Sequence, residues 1–405
     1  MKQNNKWLLV ALLWVTGALN YLDRQVIFSL FPPIQKEFGV SDIQLGLLST
    51  AFLWIYGIFS PLGGYLADRY GRRRMILLSV AIWSLVTGLT GLVRGYPELL
   101  AARALMGISE ACYLPAALAL IADSHGDRTR SLATGLHQGG IYAGIILGGV
   151  GGGYIGALYG WRFPFLGLGI GGVLYSVILT ATLKEKRAAL SNDDNRLALR
   201  SILLSLMRSP VFLIIVAVNC IAAMAYWMIY TWLPLYLFEH FKMSLTGAGF
   251  SATIYIQLAS FAGILAGGSF ADRWSAATPR ARFYVPAIGL SLAAPFLYLV
   301  GGTSSELLLI PSLICVGLGR GFFDCNLMPI VFEITQPGVR ATAYGVLNFT
   351  SCVAGGAIAV AAGALKTTIG LGGAIQISAV LLAFAAFALA RVRWIGKTAE
   401  LGAEA

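Results

Sequence analysis

The chain has 405 residues, of which 58% are hydrophobic and only 12% are charged. That composition excludes an ordinary soluble enzyme, whose chain carries roughly 25% charged residues. The net charge of +11 raises nucleic acid as a partner until the placement of the charges is considered.

Apolar runs of about 20 residues cross a ~30 Å hydrocarbon core. They recur here near 7–31, 43–66, 75–93, 97–122, 131–160, 163–183, 209–238, 245–271, 283–302, 306–332, 342–365 and 371–390. The reading is an all-α integral membrane protein with twelve transmembrane helices. The first run carries Asn20, Asp23 and Arg24 without a small-residue cleavage site, so it reads as a retained helix and not a signal peptide.

With the N-terminus in the cytoplasm, the inner segments collect most of the basic residues, among them Lys6, Arg69, Arg72, Arg73, Arg74, Arg128, Arg130, Arg208, Arg273, Arg280, Arg282, Arg340 and Arg391. The outer loops hold only Lys36, Arg94, Arg162, Lys242 and Lys366. This asymmetry is the positive-inside pattern. It predicts a multi-pass protein of the cell membrane, the inner membrane in a bacterium, with both termini cytoplasmic. The basic balance is thereby absorbed by topology, and no nucleic acid is expected as a partner. Cys112, Cys220, Cys315, Cys325 and Cys352 lie inside apolar runs at no metal-ligand or redox spacing.

The longest polar stretch divides the chain into a six-helix half over 1–183, a cytoplasmic linker over 184–208, a second six-helix half over 209–391 and a tail over 392–405. The halves echo one another at three places separated by nearly the same interval. Gly64 to Arg69 is matched by Gly268 to Arg273. Glu110 five residues before Pro115 is matched by Asp324 five before Pro329, and Arg130 to Gly135 by Arg340 to Gly345. Such pseudo-symmetric repeats give many transporters two halves that rock about a midplane site. In the fifth run Gly140, Gly144, Gly148, Gly152, Gly156 and Gly160 draw a strip without side chains down one helix face. A close-packed seam is the plain reading, and a sliding surface between moving halves the functional one.

Six ionisable residues sit inside apolar runs: Asp23, Arg24, Arg103, Glu110, Arg320 and Asp324. Each costs roughly 2.5 to 3.5 kcal/mol at the bilayer centre, so each should face a polar interior. Arg103 and Glu110 are two turns apart on one face, about 10 Å, which leaves room between them for a ligand or a residue of another helix. Arg320 and Asp324 are one turn apart and able to pair directly. Asp23 and Arg24 lie ~100° apart around their helix and must find different partners.

Gly64-x-x-x-Asp68-Arg69-x-Gly71-Arg72-Arg73 resembles the signature loop of the major facilitator superfamily, with a weaker copy ending at Asp272-Arg273. The resemblance covers essentially the whole chain and implies that superfamily's fold, with these loops acting as a charge latch on the cytoplasmic face. Within the superfamily, Asn20-Tyr21-Leu22-Asp23-Arg24, Ala51-Phe52-Leu53-Trp54-x-Tyr56, Glu110-Ala111 with Pro115-Ala116, Gly160-Trp161-Arg162 and Thr231-Trp232-Leu233-Pro234 resemble the anion:cation symporter family. Spinster-type lipid carriers share the Asn-x-x-Asp-Arg and Glu-Ala elements.

The resemblance implies secondary active transport, with proton-coupled symport of a small organic anion such as a sugar acid as the leading reading and a lysolipid or sphingolipid carrier as the second. Asp23 and Glu110 are the expected proton-coupling acids. Desolvation favours a protonated carboxyl and a nearby guanidinium an ionised one, so exchange of partners switches the proton. Arginine suits a carboxylate because its planar fork donates two parallel hydrogen bonds. Arg24, Arg103, Arg320 and Asp324, with Tyr21, Tyr56, Gln138, Tyr230 and Asn348, are the expected substrate-binding set. His137 reads as a hydrogen-bonded packing residue, with a second titrating group as the alternative. The fifth run lacks the Gly-Pro break of multidrug antiporters, and three scattered histidines do not suit an intramembrane enzyme. No nucleotide loop, metal site or cofactor motif is present, so an ion gradient is the expected energy source, and a monomer with membrane lipids around it the expected state.

Overall fold

The computed structural model of the chain describes residues 3–125, 127–183, 199–275, 277–278, 280–335 and 340–392, excluding the side chains of 3–5, 68, 127–128, 130–131, 199–202, 332 and 341. Of the linker expected over 184–208, residues 184–198 lie outside the described residues and 199–208 are helical; of the tail expected over 392–405, residues 393–405 lie outside them.

The described chain is helical almost throughout: α1 (Gln3–Ser29), α2 (Phe31–Phe38), α3 (Asp42–Tyr70), α4 (Arg72–Thr90), α5 (Tyr96–Ala111), α6 (Tyr113–Ser124), α7 (Asp127–Tyr159), α8 (Arg162–Thr182), α9 (Leu199–Arg208), α10 (Pro210–His240), α11 (Leu245–Ser275), α12 (Ala281–Gly302), α13 (Glu306–Ile334) and α14 (Arg340–Ala390). Ten described segments are long and apolar enough to cross a membrane. One of them, Thr342–Ala390, has the length of two crossings and is broken at Gly370, whose φ of 72° suits glycine. The span Tyr96–Ser124 is interrupted at Cys112, between α5 and α6. Pro115 causes this, since it has no N–H for the carbonyl of Ala111 one turn back. The interruption falls two residues past Glu110. Gly71, at φ 97°, turns α3 directly into α4.

The helices form two compact units. The first holds 1–191 together with 227–254 and 355–371, and the second holds 192–226, 255–354 and 372–405. In the first unit the glycine strip of α7 lies along α1. A Cβ added at Gly140, Gly144, Gly148, Gly152 or Gly156 would meet the Trp14 carbonyl oxygen at 2.4 Å, that of Ala18 at 2.1 Å, that of Leu22 at 2.7 Å, Val26 at 2.8 Å and Leu30 at 2.3 Å. Both series advance four residues at a time, so the helices run parallel and touch turn for turn. The strip is therefore a packing seam within the first helices. A second face of α7 approaches α11 instead: Cβ atoms at Gly149 and Gly153 would meet Thr253 at 2.4 Å and the Leu245 carbonyl at 2.5 Å. Tight backbone approach of this kind is what holds helices together where lipid competes equally for apolar side chains.

The second unit uses the same device. On α13, Gly317 and Gly321 face α11, with Cβ positions 2.5 Å from the Ile256 carbonyl and 2.3 Å from that of Ser260, while Gly319 faces α12 at 2.2 Å from the Gly289 carbonyl. Outward faces are greasy, as on α8, where Ile170, Leu174, Val177 and Ile178 are exposed.

In the first unit Lys366 of α14 bridges Asp42 Oδ1 at the start of α3 (2.9 Å) and Glu239 Oε1 at the end of α10 (2.8 Å). Gln35 Nε2 also donates to Asp42 Oδ1, at 3.0 Å. Lys366→Met removes the shared cation and leaves two carboxylates facing each other. The expected cost is about 1 to 2 kcal/mol, seen as a lower melting temperature in nanodiscs that Lys366→Arg restores. An unchanged melting temperature for Lys366→Met overturns the bridge as a stabilising contact.

Candidate functional site

The first unit brings the four ionisable residues of α1 and α5 into one buried cluster. Asp23 and Arg24 find different partners, as their helical spacing requires. Asp23, 2% exposed, accepts from the Thr87 hydroxyl of α4 at 3.3 Å, and its second oxygen has no hydrogen-bond partner among the described residues. Glu110 and Arg103 both act on it electrostatically. Arg24 donates from Nε to Glu110 Oε2 at 2.5 Å, and Asn20, one turn earlier on α1, faces the same carboxylate. Glu110 is thus paired with a residue of another helix and not with Arg103.

Aromatic rings complete the cluster. The Arg24 guanidinium carbon lies 4.6 Å from the Tyr21 ring centre, 4.9 Å from Phe52 and 4.4 Å from Tyr56. Phe52 and Tyr56 stack at 5.8 Å. Arg103 lies 4.8 Å from the same Phe52 ring.

Arg103 itself is 1% exposed and makes no ion pair among the described residues. Its Nε reaches the Leu48 carbonyl at 3.4 Å and its Nη1 the Met106 sulfur at 3.2 Å, while Nη2 has no partner. A carbonyl and a thioether are weak company for a buried full charge. Chemically, the cluster holds one satisfied pair, Arg24 with Glu110, and one cation and one acid, Arg103 and Asp23, that do not touch each other.

In the second unit Arg320 and Asp324 pair directly at 3.1 Å, one turn apart on α13, with Arg320 lying 5.2 Å from the Tyr226 ring centre. Tyr226 is buried and its hydroxyl has no hydrogen-bond partner among the described residues.

Of the remaining expected residues, Tyr21 and Tyr56 stand against Arg24. Tyr230 is buried in the first unit, where its carbonyl accepts from Gln25 Nε2 at 3.4 Å. Gln138 is exposed on α7, and Asn348 is half-buried on α14. The interhelical bond in that part of α14 belongs instead to Asn219 of α10, which donates to the Leu347 carbonyl at 3.1 Å and the Ser351 hydroxyl at 2.6 Å. His137 is buried and bonded to the Tyr113 hydroxyl at 2.8 Å, a packing role. Sequence reasoning missed Thr87, Gln25, Asn219 and Phe52 as contributors. The first three had a signal, a polar group in an apolar run, whereas Phe52 had only its place in the Ala51 to Tyr56 motif.

Among the residues of the expected latch, Arg72 and Arg73 tie neighbouring helices and Arg69 bonds within α3. Arg72 donates to Asp123 and to the Ala119 carbonyl of α6 (2.9 Å), Arg73 to the Thr180 carbonyl of α8 (2.6 Å), and Arg69 to the Tyr65 hydroxyl (2.8 Å). Gly64 lies against Pro115, its Cβ position 3.7 Å from that ring. The side chain of Asp68 lies outside the described residues. In the second unit Asp272 pairs with Arg282 at 3.6 Å, which also binds Glu333 at 2.8 Å, while Arg273 is exposed. Gly160-Trp161-Arg162 has a structural explanation: the Trp161 indole and the Arg162 guanidinium both donate to Glu37, at 2.6 and 2.7 Å. Desolvation pushes the Glu37 carboxyl up, and these two donors outweigh it and hold the group below its ordinary range.

Known proteins resemble this chain along most of its length. It is 28% identical over 303 residues to the "probable galactarate/D-glucarate transporter GudP" of Bacillus subtilis (strain 168), covering 67% of this chain and 66% of that one. It is also 28% identical over 373 residues to the "sphingosine-1-phosphate transporter SPNS2" of Mus musculus, covering 86% and 67%. The chain therefore spans about two thirds of the length of these relatives. A solved bacterial homolog of the human lysosomal transporter Spinster, in an inward-facing and occupied conformation, superposes with a TM-score of 0.82 at 21% identity, covering 96% of this chain and 97% of that one. The profile of the Major Facilitator Superfamily matches residues 13–360, and with the helical membrane architecture this makes the chain a member of the Major Facilitator Superfamily.

Proposed function

We propose that this transporter carries an organic anion, a carboxylate or sugar acid, in symport with protons by alternating access between two six-helix halves. The observation that supports this most is Arg103, a fully buried guanidinium that, among the described residues, has no carboxylate partner, in one cluster with Asp23, a carboxyl that among them has no cationic partner. Protonating Asp23 removes a negative charge from the cluster and leaves Arg103 to attract an anion. Binding the anion in turn favours the protonated acid, which couples the two ligands by linkage. Arg24 and Glu110 are the pair that opens when Glu110 takes a proton. Arg320 and Asp324 are the corresponding pair of the second half, and the loops at Gly71 and Asp272 latch the cytoplasmic face. Contacts of α3 with α10 and α14 in the first unit suit an outward closure: the Ser49 and Thr231 hydroxyls meet at 3.1 Å, Thr50 donates to the Gly356 carbonyl at 2.6 Å, and Lys366 joins Asp42 to Glu239.

A second reading is favoured by the 86% of this chain that aligns with a sphingosine-1-phosphate transporter. That lipid and the aldarates share an anionic group, and differ in whether an apolar tail must also be accommodated. Proteoliposomes with an inward proton gradient, offered labelled D-glucarate and sphingosine-1-phosphate in parallel, separate the two. Accumulation of the sugar acid, collapsed by a protonophore, is the expected result. Movement of the lipid alone overturns the sugar-acid assignment, and movement of neither at any gradient overturns both.

A further inference from the structure

Arg24 and Arg103 are like charges buried against one benzene ring, and among the described residues only Arg24 has a carboxylate in contact. When Glu110 is protonated, as the proposed cycle requires, Arg24 loses that contact as well. Something must then keep two guanidiniums charged and in place without occupying the hydrogen-bond donors that an anion needs. Aromatic faces suit this task. Their quadrupole attracts a cation, most strongly when both are removed from water, yet offers no oxygen to compete for the N–H fork.

We propose that Tyr21, Phe52 and Tyr56 form an aromatic cage that holds the two arginines ready for an anion, and that Phe52, the wall common to both, is the positioning residue of the site. Three rings lie within 4.4 to 4.9 Å of Arg24 and one of these within 4.8 Å of Arg103. Phe52 and Tyr56 are 1% and 4% exposed and stack on each other, so a shift of either ring is felt by the other. The backbone beneath them is fixed by Gly107 of α5, one turn beyond Arg103, where a Cβ would stand 2.8 Å from the Phe52 carbonyl and 3.1 Å from the Tyr56 nitrogen. The same close approach that sets Phe52 therefore sets Arg103. The cage rests on the anion-carrier reading for its purpose, but not for its existence.

The test replaces Phe52 with phenylalanines carrying one, two and three ring fluorines, which drain the negative face while barely changing size. The melting temperature of the purified, substrate-free protein in nanodiscs is expected to fall stepwise with each fluorine. A ring that merely fills space gives a flat series, and a flat series overturns the cage. Phe52→Leu is expected to weaken binding of D-glucarate, or of sphingosine-1-phosphate if that is the anion carried, about tenfold or more, while Phe52→Trp retains most of it. A stepwise thermal series with unchanged anion affinity in Phe52→Leu overturns the positioning role. If the wild type binds neither probe, the carrier reading fails, and the fluorine series alone decides whether the cage exists.

Discussion

Asp23→Asn is expected to abolish proton-driven accumulation while leaving the protein as stable as before. An inward gradient of one pH unit drives about tenfold accumulation per coupled proton, since each unit is worth roughly 1.4 kcal/mol. In the variant the ratio should fall to about one. Stability should not follow, because Asp23 makes a single long hydrogen bond to Thr87 and leaves its other oxygen without a partner. An amide is nearly isosteric with a protonated carboxyl, so the change is expected within about 1 kcal/mol. Glu110→Gln should behave differently. It strips Arg24 of its one carboxylate contact and breaks a buried pair, at an expected cost of about 3 to 5 kcal/mol, besides losing coupling. Uptake along a proton gradient and thermal melting, measured on both variants, read these effects separately. An Asp23→Asn protein that still concentrates substrate removes Asp23 from the coupling scheme. Equal melting temperatures for the two variants show that the Arg24–Glu110 contact carries no stability.

That contrast also indicates where a sequence informs and where it stops. The membrane class, the all-helical architecture and the six intramembrane charges are all visible in hydropathy and spacing, because lipid penalises each exception. Helical geometry alone says that Asp23 and Arg24 diverge, that Arg320 and Asp324 can meet, and that Arg103 and Glu110 leave a gap. It does not say which residue pairs with Glu110. The choice of Arg24 depends on how α1 and α5 are placed in three dimensions, and a spacing rule carries no such information. Phe52 is invisible for a related reason: its role comes from two cations on different helices approaching one ring, and nothing in a run of Ala51-Phe52-Leu53 distinguishes it from packing. The glycine strip of α7 is an intermediate case. Its period predicts close approach, but the partner, α1, emerges only from the matching four-residue advance of Trp14, Ala18, Leu22, Val26 and Leu30.

Because α1 carries both Asp23 and Arg24, the seam that holds it is expected to be as sensitive as the site. Gly144→Ala and Gly151→Ala place the same methyl group seven residues apart on one helix. Alanine in a helix is ordinarily better than glycine by up to about 1 kcal/mol. At Gly151 nothing lies within 4 Å of the added carbon, so a small gain or no change is expected. At Gly144 the carbon would stand 2.1 Å from the Ala18 carbonyl oxygen and 2.9 Å from its Cα, which is backbone on backbone. No rotamer change relieves that contact, and α1 must move away along several turns of the seam. The expected loss is about 3 kcal/mol or more, above the usual range for a small overpacking because the contact is not with a side chain. Detergent-resistant folding and melting temperature should separate the two alanines clearly, and transport by any surviving Gly144→Ala protein should fall with the displacement of Asp23, five residues beyond Ala18. A second substitution, Ala18→Gly, removes only a methyl group that the clash does not involve, so it should fail to restore the seam. Restoration by Ala18→Gly places the contact on the side chain and overturns the backbone seam.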